Sequence, residues 1–133
     1  VAARFAAVMV FFWASWAQYE SHRALALLRP PPPTLPSQSS KDADGAAAKL
    51  EKPAQYRIPR GGWFELVSCP HYTFEITIYA ALAGAGGADP LLLLVVVFVA
   101  LELGFSALRQ HAWYRARFSH YPASRRAIVP WML

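Results

Sequence analysis

An uninterrupted apolar run at residues 91–101, LLLLVVVFVAL, constrains the fold of this chain more than any other feature. The apolar content continues over 91–108, with Glu102 as the only charged interruption. A helix over 91–108 would rise about 27 Å at 1.5 Å per residue, which is close to the hydrocarbon thickness of a bilayer. The preceding Asp89-Pro90 pair supplies a favourable N-cap and first helical residue. The sequence therefore predicts a membrane-spanning helix over 91–108.

The composition also indicates a membrane protein. Hydrophobic residues make up 56% of the 133 residues and charged residues 16%, whereas roughly 25% are charged in soluble domains. A chain of this length has room for one domain or for part of a larger one, and it begins with Val rather than Met. We therefore expect an all-α fold, an integral membrane helical bundle fragment with interfacial loops and a basic cytosolic tail.

A second apolar segment lies at the N-terminus. Residues 1–17 are apolar apart from Arg4 and one serine, and about 17–25 residues are needed to span a bilayer. A signal peptide is the competing interpretation, but tryptophans and Gln18 stand where such a peptide needs a small-residue cleavage site. We favour a retained membrane helix that continues through 19–28, with Arg4 reaching the interface.

A linker interrupts the chain after this first helix. Arg29 is followed by four prolines, which cannot continue a helix. The Pro-rich and polar linker over 30–55 is low in complexity and predicts a mobile loop outside the membrane. We interpret the chain as a single domain over 1–133, in which the linker separates the first helix region, 1–29, from the segment 56–133.

Positive charge is concentrated at the C-terminal end. No acidic residue follows Glu102, whereas five arginines do: Arg109, Arg115, Arg117, Arg125 and Arg126. The positive-inside rule predicts a cytosolic location for residues 109–133, and the interleaved aromatic residues are typical of a membrane interface. The position of this tail beside an apolar segment favours anionic head groups or a phosphorylated ligand over nucleic acid.

A further helix is predicted over His71–Leu82. The upstream Gly61-Gly62 pair suits a turn with positive φ, Ser68 is a favourable helix start, and the glycines of AGAGG end the helix. Together with the span over 91–108, this helix would form an up-and-down hairpin.

The predicted helix over 71–82 carries ionisable groups on one face. Glu75 lies four residues after His71 and three after Tyr72, and Tyr79 lies seven after Tyr72. Because ionisable residues inside a membrane are costly and usually face a cavity, we favour the wall of a binding site. The alternative is a polar stripe that faces water. For Glu102, pairing with an arginine of a neighbouring helix is the favoured interpretation.

Several site classes lack a sequence signature. The four histidines have no tight ligand spacing with a third donor, neither CxxC nor HExxH occurs, and no GxGxxG follows a predicted strand, so we expect neither a metal site nor a Rossmann fold. The single Cys69 excludes an internal disulfide and is interpreted as a packed residue. Arginines remain able to bind phosphate without a Rossmann fold, because a guanidinium grips phosphate oxygens in a bidentate manner.

Three sequence blocks carry a specific resemblance. They are FFWASWAQYESHRALALLR at 11–29, YRIPRGGWFELVSCPHYTFEI at 56–76 and HAWYRARFSHYPASRRAIVPWML at 111–133. The blocks at 56–76 and 111–133 resemble the two signature blocks of the C-terminal domain of the steroid 5-alpha-reductase family, and 11–29 resembles the helix that precedes them. The resemblance covers nearly the whole chain except the linker. IPRGGWFE with CPHY is most similar to the polyprenal reductase branch, whereas VSCPxYTxE also resembles very-long-chain enoyl-CoA reductases. Steroid-reducing members tend to have Asn at the position of His71.

The resemblance implies an endoplasmic-reticulum enzyme that reduces a double bond of a lipid, such as a polyprenal, with NADPH. It also implies that this C-terminal domain supplies most of the cofactor site. Carried over position by position, the implied cofactor-binding residues are Gln18, His22, Arg29, Tyr56, Arg57, His71, Glu75, His111 and Tyr114. No catalytic residue is assigned, because the catalytic tyrosine–glutamate pair of the family comes from N-terminal helices that lie outside this sequence.

Two departures from the family pattern carry expectations of their own. Phe74 stands where a small residue is usual, so it is expected to crowd the cofactor. Ser119-His120 replaces an acidic pair, so a salt bridge to the tail arginines is expected to be missing. The rival hypothesis is a non-catalytic membrane subunit that retains the fold. Expected partners are the bilayer, a lipid substrate, and either an N-terminal remainder of the same enzyme or a membrane complex.

Overall fold

The structure is a computed structural model that describes residues 1–29 and 57–129. Its elements are the helices α1 (Ala2–Leu27), α2 (Pro70–Ala85) and α3 (Pro90–Arg117), with a short 3-10 helix at Gly62–Glu65. Those two ranges contain no strand, so the expected all-α fold is confirmed. The interpretations of the linker, of Tyr56 and of the last four residues fall outside the described residues.

The helices α1 and α2 pack side by side in opposite directions. Near the start of α1 and the end of α2, a Cβ added to Gly84 would stand 3.3 Å from the Cβ of Ala7. Further along, the rings of Trp13 and Phe74 meet edge to face with centroids 5.6 Å apart. Ala14, the residue after Trp13, is fully buried and packs with Phe74. Small side chains at the crossing therefore let the two backbones approach closely.

Among the described helices, α3 alone is both long and apolar enough to cross a membrane. Asp89 caps its start, since the carboxylate accepts a hydrogen bond from the backbone N–H of Leu91 at 2.9 Å. Only 6% of its most apolar 18-residue window is buried, which leaves its leucines, valines and phenylalanines available to lipid. The helix predicted over 91–108 is confirmed. Of the predicted N-terminal helix over 1–17, residues 2–17 are helical, and their crossing of the membrane stays a prediction.

The end of α3 differs from the sequence interpretation, which began a tail at residue 109. The helix continues to Arg117, because residues 109–117 contain neither Gly nor Pro. Arg115 and Arg117 in the last turn also suit the negative end of the helix dipole. At 1.5 Å per residue the helix is about 42 Å long, so its last turns project beyond a hydrocarbon layer of about 30 Å.

After α3 the chain folds back onto the turn that precedes α2. An isolated parallel bridge pairs Val67 with Arg126. The backbone N–H of Ser68 donates to the carbonyl of Arg126 at 2.7 Å, and that of Cys69 donates to Ala127 at 3.1 Å. These contacts join segments 58 positions apart, so no local pattern in the sequence predicted them. We call this pairing the junction.

Arg125 lies at the centre of the junction and is only 1% exposed. Its guanidinium donates to the carbonyl of Pro59 at 2.8 Å and to the carboxylate of Glu65 at 3.1 Å. Arg125 therefore fixes the end of the chain to the turn, and it is not available to lipid head groups. Ser119-His120 forms no ion pair with a described tail arginine, as expected, and Glu65 supplies the acidic partner of Arg125 instead.

The buried core is small and divided into two clusters. One contains Cys69, Ala107, Ala127 and Ile128, and the other contains Ala14, Ala17 and Phe74. Most large apolar side chains of α1 and α3 remain exposed outside these clusters. A chain with this much exposed apolar surface fits a helical bundle whose outer face meets lipid or further protein.

Candidate functional site

Polar side chains from α1 and α2 meet where the two helices cross. The amide of Gln18 donates a hydrogen bond to the carboxylate of Glu75. One turn away, the rings of His22 and His71 lie with centroids 5.3 Å apart. His71 also contacts the ring of Tyr72 at 4.2 Å, and its Nδ1 is buried without a hydrogen-bond partner among the described residues.

Helical spacing explains this arrangement. Gln18 and His22 are four residues apart on α1, and His71 and Glu75 are four apart on α2, so each pair occupies one face of its helix. Because the helices run in opposite directions, the first residue of one pair meets the second residue of the other. The predicted clustering of His71, Tyr72 and Glu75 on one face is confirmed.

These side chains line an open cavity of about 310 Å³ between α1, α2 and α3. Tyr79 extends the polar wall along α2, while α3 adds Phe98, Val99, Leu103 and Glu102. No residue that lines this cavity, within the described part of the chain, is a lysine or an arginine. The cavity therefore combines apolar walls with carboxylate, imidazole and phenol groups, which suits an uncharged or cationic ligand group.

Glu102 does not follow its sequence interpretation. It makes no hydrogen bond or ion pair with any described residue, so the expected pairing with an arginine is absent from residues 1–29 and 57–129. It lines the cavity instead. The three-residue and four-residue spacing that revealed the α2 face could not place Glu102, because Glu102 reaches the site from another helix.

A second polar group surrounds the junction. The hydroxyl of Ser68 donates to the carbonyl of Arg126 at 3.1 Å, and its oxygen lies 2.6 Å from both Nδ1 of His111 and the hydroxyl of Tyr121. Ser68 was expected to start α2, but the helix begins after Cys69 with no side-chain cap. The Ser68 hydroxyl therefore ties the last turns of α3 and the returning chain to the turn.

His111 opens into a polar pocket of about 370 Å³ at this end of α3, which we call the tail pocket. Arg115 and Arg126 also line it, and both are exposed. Tyr114 is 8% exposed and stacks on the ring of Tyr121 with centroids 5.5 Å apart. The tail pocket is thus rich in cationic donors, in contrast to the cavity between the helices.

Glu65 and Cys69, both near the junction, have shifted pKa values. The pKa of Glu65 is lowered, first because its carboxylate accepts a hydrogen bond from the backbone N–H of Gly61 at 2.7 Å and second because Arg125 donates to it. Burial raises the pKa of the Cys69 thiol to about 12. Because the thiolate is the reactive form, Cys69 is unreactive at neutral pH, in line with the packed role expected for it. Within the two described ranges, no group of three histidine, cysteine or acidic residues could hold a metal ion.

Comparison with known proteins identifies the family. The sequence profile described as 3-oxo-5-alpha-steroid 4-dehydrogenase matches residues 2–133. The chain belongs to the steroid 5-alpha-reductase family. It is 39% identical to the polyprenal reductase of Danio rerio over 126 residues. This alignment covers 94% of this chain and 36% of that protein.

Two further relatives carry the same description. Over 125 residues, 93% of this chain, it is 38% identical to polyprenal reductase 1 of Oryza sativa subsp. indica, covering 30% of that protein. It is 44% identical to the polyprenal reductase of Caenorhabditis elegans over 78 residues. This alignment covers 59% of this chain and 25% of that protein. The chain thus spans about a third or less of the length of these relatives.

The steroid 5-alpha-reductase resemblance implied nine cofactor-binding positions, and the structure divides them into groups. The cavity brings together Gln18, His22, His71 and Glu75. His111 lines the tail pocket, with the buried Tyr114 stacked on its neighbour Tyr121.

The remaining three implied positions lie elsewhere. Arg29 and Arg57 are exposed at the borders of the undescribed segment and line neither the cavity nor the tail pocket, and Tyr56 falls inside that segment. Phe74 is 3% exposed and packs among Trp13 and Trp63 outside the cavity, so it does not crowd the residues that line it.

Proposed function

We propose that this chain is the cofactor-binding part of an NADPH-dependent reductase that acts on a conjugated double bond of a polyprenal or a similar lipid. The relatives named polyprenal reductase support the substrate class. The observation that carries the proposal is the cavity, where Gln18, His71 and Glu75 converge between helices of a membrane bundle.

The residues present fit two chemically different parts of NADPH, the carboxamide of its nicotinamide ring and its phosphates. Nδ1 of His71, which lacks a partner among the described residues, and the Gln18–Glu75 pair offer hydrogen bonds to a carboxamide. No lysine or arginine of the described ranges lines the cavity to favour a phosphate. Phosphates instead suit arginines, and Arg115 and Arg126 line the tail pocket. The exposed Arg29 and Arg57, together with Tyr56, complete the proposed phosphate-binding group.

When bound, NADPH would supply a hydride to one carbon of the double bond, while a proton from solvent completes the saturation of the other. The protein's part is to bind and orient. His71 and Glu75 hold the polar edge of the ligand, and the apolar side chains of Phe98 and Val99 keep water from that part of the cavity.

The proposed cellular setting follows from the same features. We infer an endoplasmic-reticulum membrane protein with the residues after α3 in the cytosol, since Arg109, Arg115 and Arg117 follow the apolar part of α3. The very-long-chain enoyl-CoA and steroid reductase branches are the alternative substrate classes. The rival function is a non-catalytic membrane subunit that retains this fold to pack against partners.

Binding of NADPH by the chain tests the proposal. The chain is purified in lipid nanodiscs and titrated with NADPH, with the cofactor fluorescence as the readout. We expect saturable binding that Glu75→Gln weakens by roughly tenfold, because a charge-assisted hydrogen bond becomes a neutral one.

Glu20→Gln is the matched control. It removes a carboxylate on α1 that lies outside the cavity and, among the described residues, pairs with Arg23, so affinity should stay within about twofold. If the folded chain bound no NADPH, the reductase proposal would be overturned and the membrane subunit would be the better explanation.

A further inference from the structure

Glu102 is an isolated carboxyl group within the apolar part of α3. It lies about 18 Å along the helix from Pro90 at 1.5 Å per residue, between the exposed apolar side chains of Leu101 and Phe105. An ionisable residue at such a depth is costly unless it meets a polar partner, and such residues usually face a cavity or a ligand. Glu102 has neither a hydrogen bond nor an ion pair with a described residue.

The groups around Glu102 do not neutralise it. The wall that it shares with α2 presents Tyr72, Tyr79 and a second carboxyl group, Glu75. The nearest histidines in the lining are His22 and His71, and His71 already contacts His22 and the ring of Tyr72. Two carboxyl groups thus face one cavity that no lysine or arginine lines among the described residues. A ligand group that brings positive charge would be attracted by both carboxyl groups.

We propose that Glu102 acts with Glu75 to make the cavity selective for a cationic ring, and specifically for the oxidised nicotinamide ring of NADP⁺ over the neutral ring of NADPH. The inference rests on the proposed NADPH-dependent function. Opposite charges in a cavity with apolar walls interact more strongly than in water, so each carboxylate favours the ligand state that carries the positive charge. The same preference would stabilise positive charge that develops on the ring as the hydride departs.

This role differs from the one given to Glu75. Glu75 is hydrogen-bonded by Gln18 and is positioned to hold polar groups of either redox form. Glu102 has no such bond with a residue of 1–29 or 57–129, so its contribution should depend chiefly on ligand charge. Discrimination between the two redox forms is therefore the property that separates Glu102 from a residue that only shapes the cavity.

The test compares the affinities of the two nucleotides in the purified chain in lipid nanodiscs. NADPH binding is followed by its fluorescence, and NADP⁺ binding by displacement of NADPH. We expect Glu102→Gln to weaken NADP⁺ binding by roughly tenfold and NADPH binding by less than about threefold, because only the charged ring loses an ionic partner. Glu102→Asp, which keeps the charge, should recover part of the NADP⁺ affinity.

Two controls keep the outcomes distinct. Glu20→Gln removes an exposed carboxylate outside the cavity and should leave both affinities unchanged. Thermal unfolding of Glu102→Gln should match that of the unsubstituted chain, since Glu102 has no hydrogen bond or ion pair with a described residue to lose. Equal weakening of both nucleotides, or no weakening of either, would overturn this inference and leave the proposed function intact. Failure of the unsubstituted chain to bind either nucleotide would overturn the proposed function itself.

Discussion

The cavity and the junction use their polar groups in opposite ways. At the junction, the Ser68 hydroxyl contacts three partners and the guanidinium of Arg125 donates to two. In the cavity, Tyr79 and Glu102 form no hydrogen bond with a described residue, and Nδ1 of His71 is buried without a partner.

This difference separates structural from binding roles. Buried polar groups are normally hydrogen-bonded, because an unpaired one loses its interaction with water without compensation. The junction largely meets this rule by itself, with the Nε of Arg125 as its one unpaired buried atom among the described residues. The cavity likewise has one such atom, Nδ1 of His71, but its Tyr79 and Glu102 are accessible and form no hydrogen bond with a described residue, so they remain available to a ligand. Both regions are rich in ionisable residues, so composition alone would rank them equally.

The largest effect is expected from removing Arg125. In Arg125→Met the packed volume is kept, but the charged hydrogen bonds to Pro59 and Glu65 are lost. Because a hydrogen bond to a charged group contributes about 1.5–3 kcal/mol, the free energy of unfolding in detergent should fall by about that amount. The matched control is Arg126→Met, which removes the same charge from an exposed side chain. Equal stability losses in the two variants would contradict a structural junction.

A smaller loss is expected from Ser68→Ala. The hydroxyl bonds are lost, but His111 and Tyr121 are only partly buried and can bind water instead. The free energy of unfolding should therefore fall by about 1 kcal/mol. Ser124→Ala, at an exposed position of the same returning segment, should have no measurable effect. A loss as large as that of Arg125→Met would mean that Ser68 contributes as much as Arg125 to holding the junction together.

The sequence predicted more of the cavity than of the junction, because part of the cavity lies on a single helix. His71, Tyr72 and Glu75 lie within two turns of one helix, so the 3.6-residue period places them on one face before any fold is known. Gln18 and His22 came from the family resemblance, since their own helix offers no rule for which partner they meet. Asp89 as a helix cap and the positive φ of Gly61 were likewise local inferences, and both are confirmed.

The junction escaped prediction because its contacts are long-range. Ser68 meets His111 and Tyr121 at separations of 43 and 53 positions, and Arg125 meets Glu65 at 60. A basic residue near the end of an apolar chain is typical of a lipid anchor, and nothing local distinguishes the buried Arg125 from the exposed Arg126. The one usable signal was the lone Glu65 among the arginines around the glycine turn, which could have marked an ion pair.

The smallest expected effect is the pH dependence of the junction's stability. It distinguishes the two groups that donate hydrogen bonds to Glu65, the backbone N–H of Gly61 and the guanidinium of Arg125. The folded-state pKa of Glu65 is depressed, so its carboxylate stabilises the fold above the ordinary value of 4.5 and this contribution is lost as pH falls through the folded pKa. The stability difference between the unsubstituted chain and Glu65→Gln should thus be constant near neutral pH and shrink in acid. Denaturant unfolding at several pH values in detergent measures this difference.

Comparing Glu65 with Glu65→Gln in the Arg125→Met background divides the pH dependence between the two hydrogen-bond donors of Glu65. The backbone N–H of Gly61 is the larger cause of the depressed pKa of Glu65, and the Arg125 guanidinium is the second. A reduced but still visible pH dependence should therefore persist without Arg125. Complete loss of the pH dependence would assign the junction's acid sensitivity to the ion pair alone. An undiminished dependence would mean that Arg125 holds the returning chain through the carbonyl of Pro59 and not through Glu65.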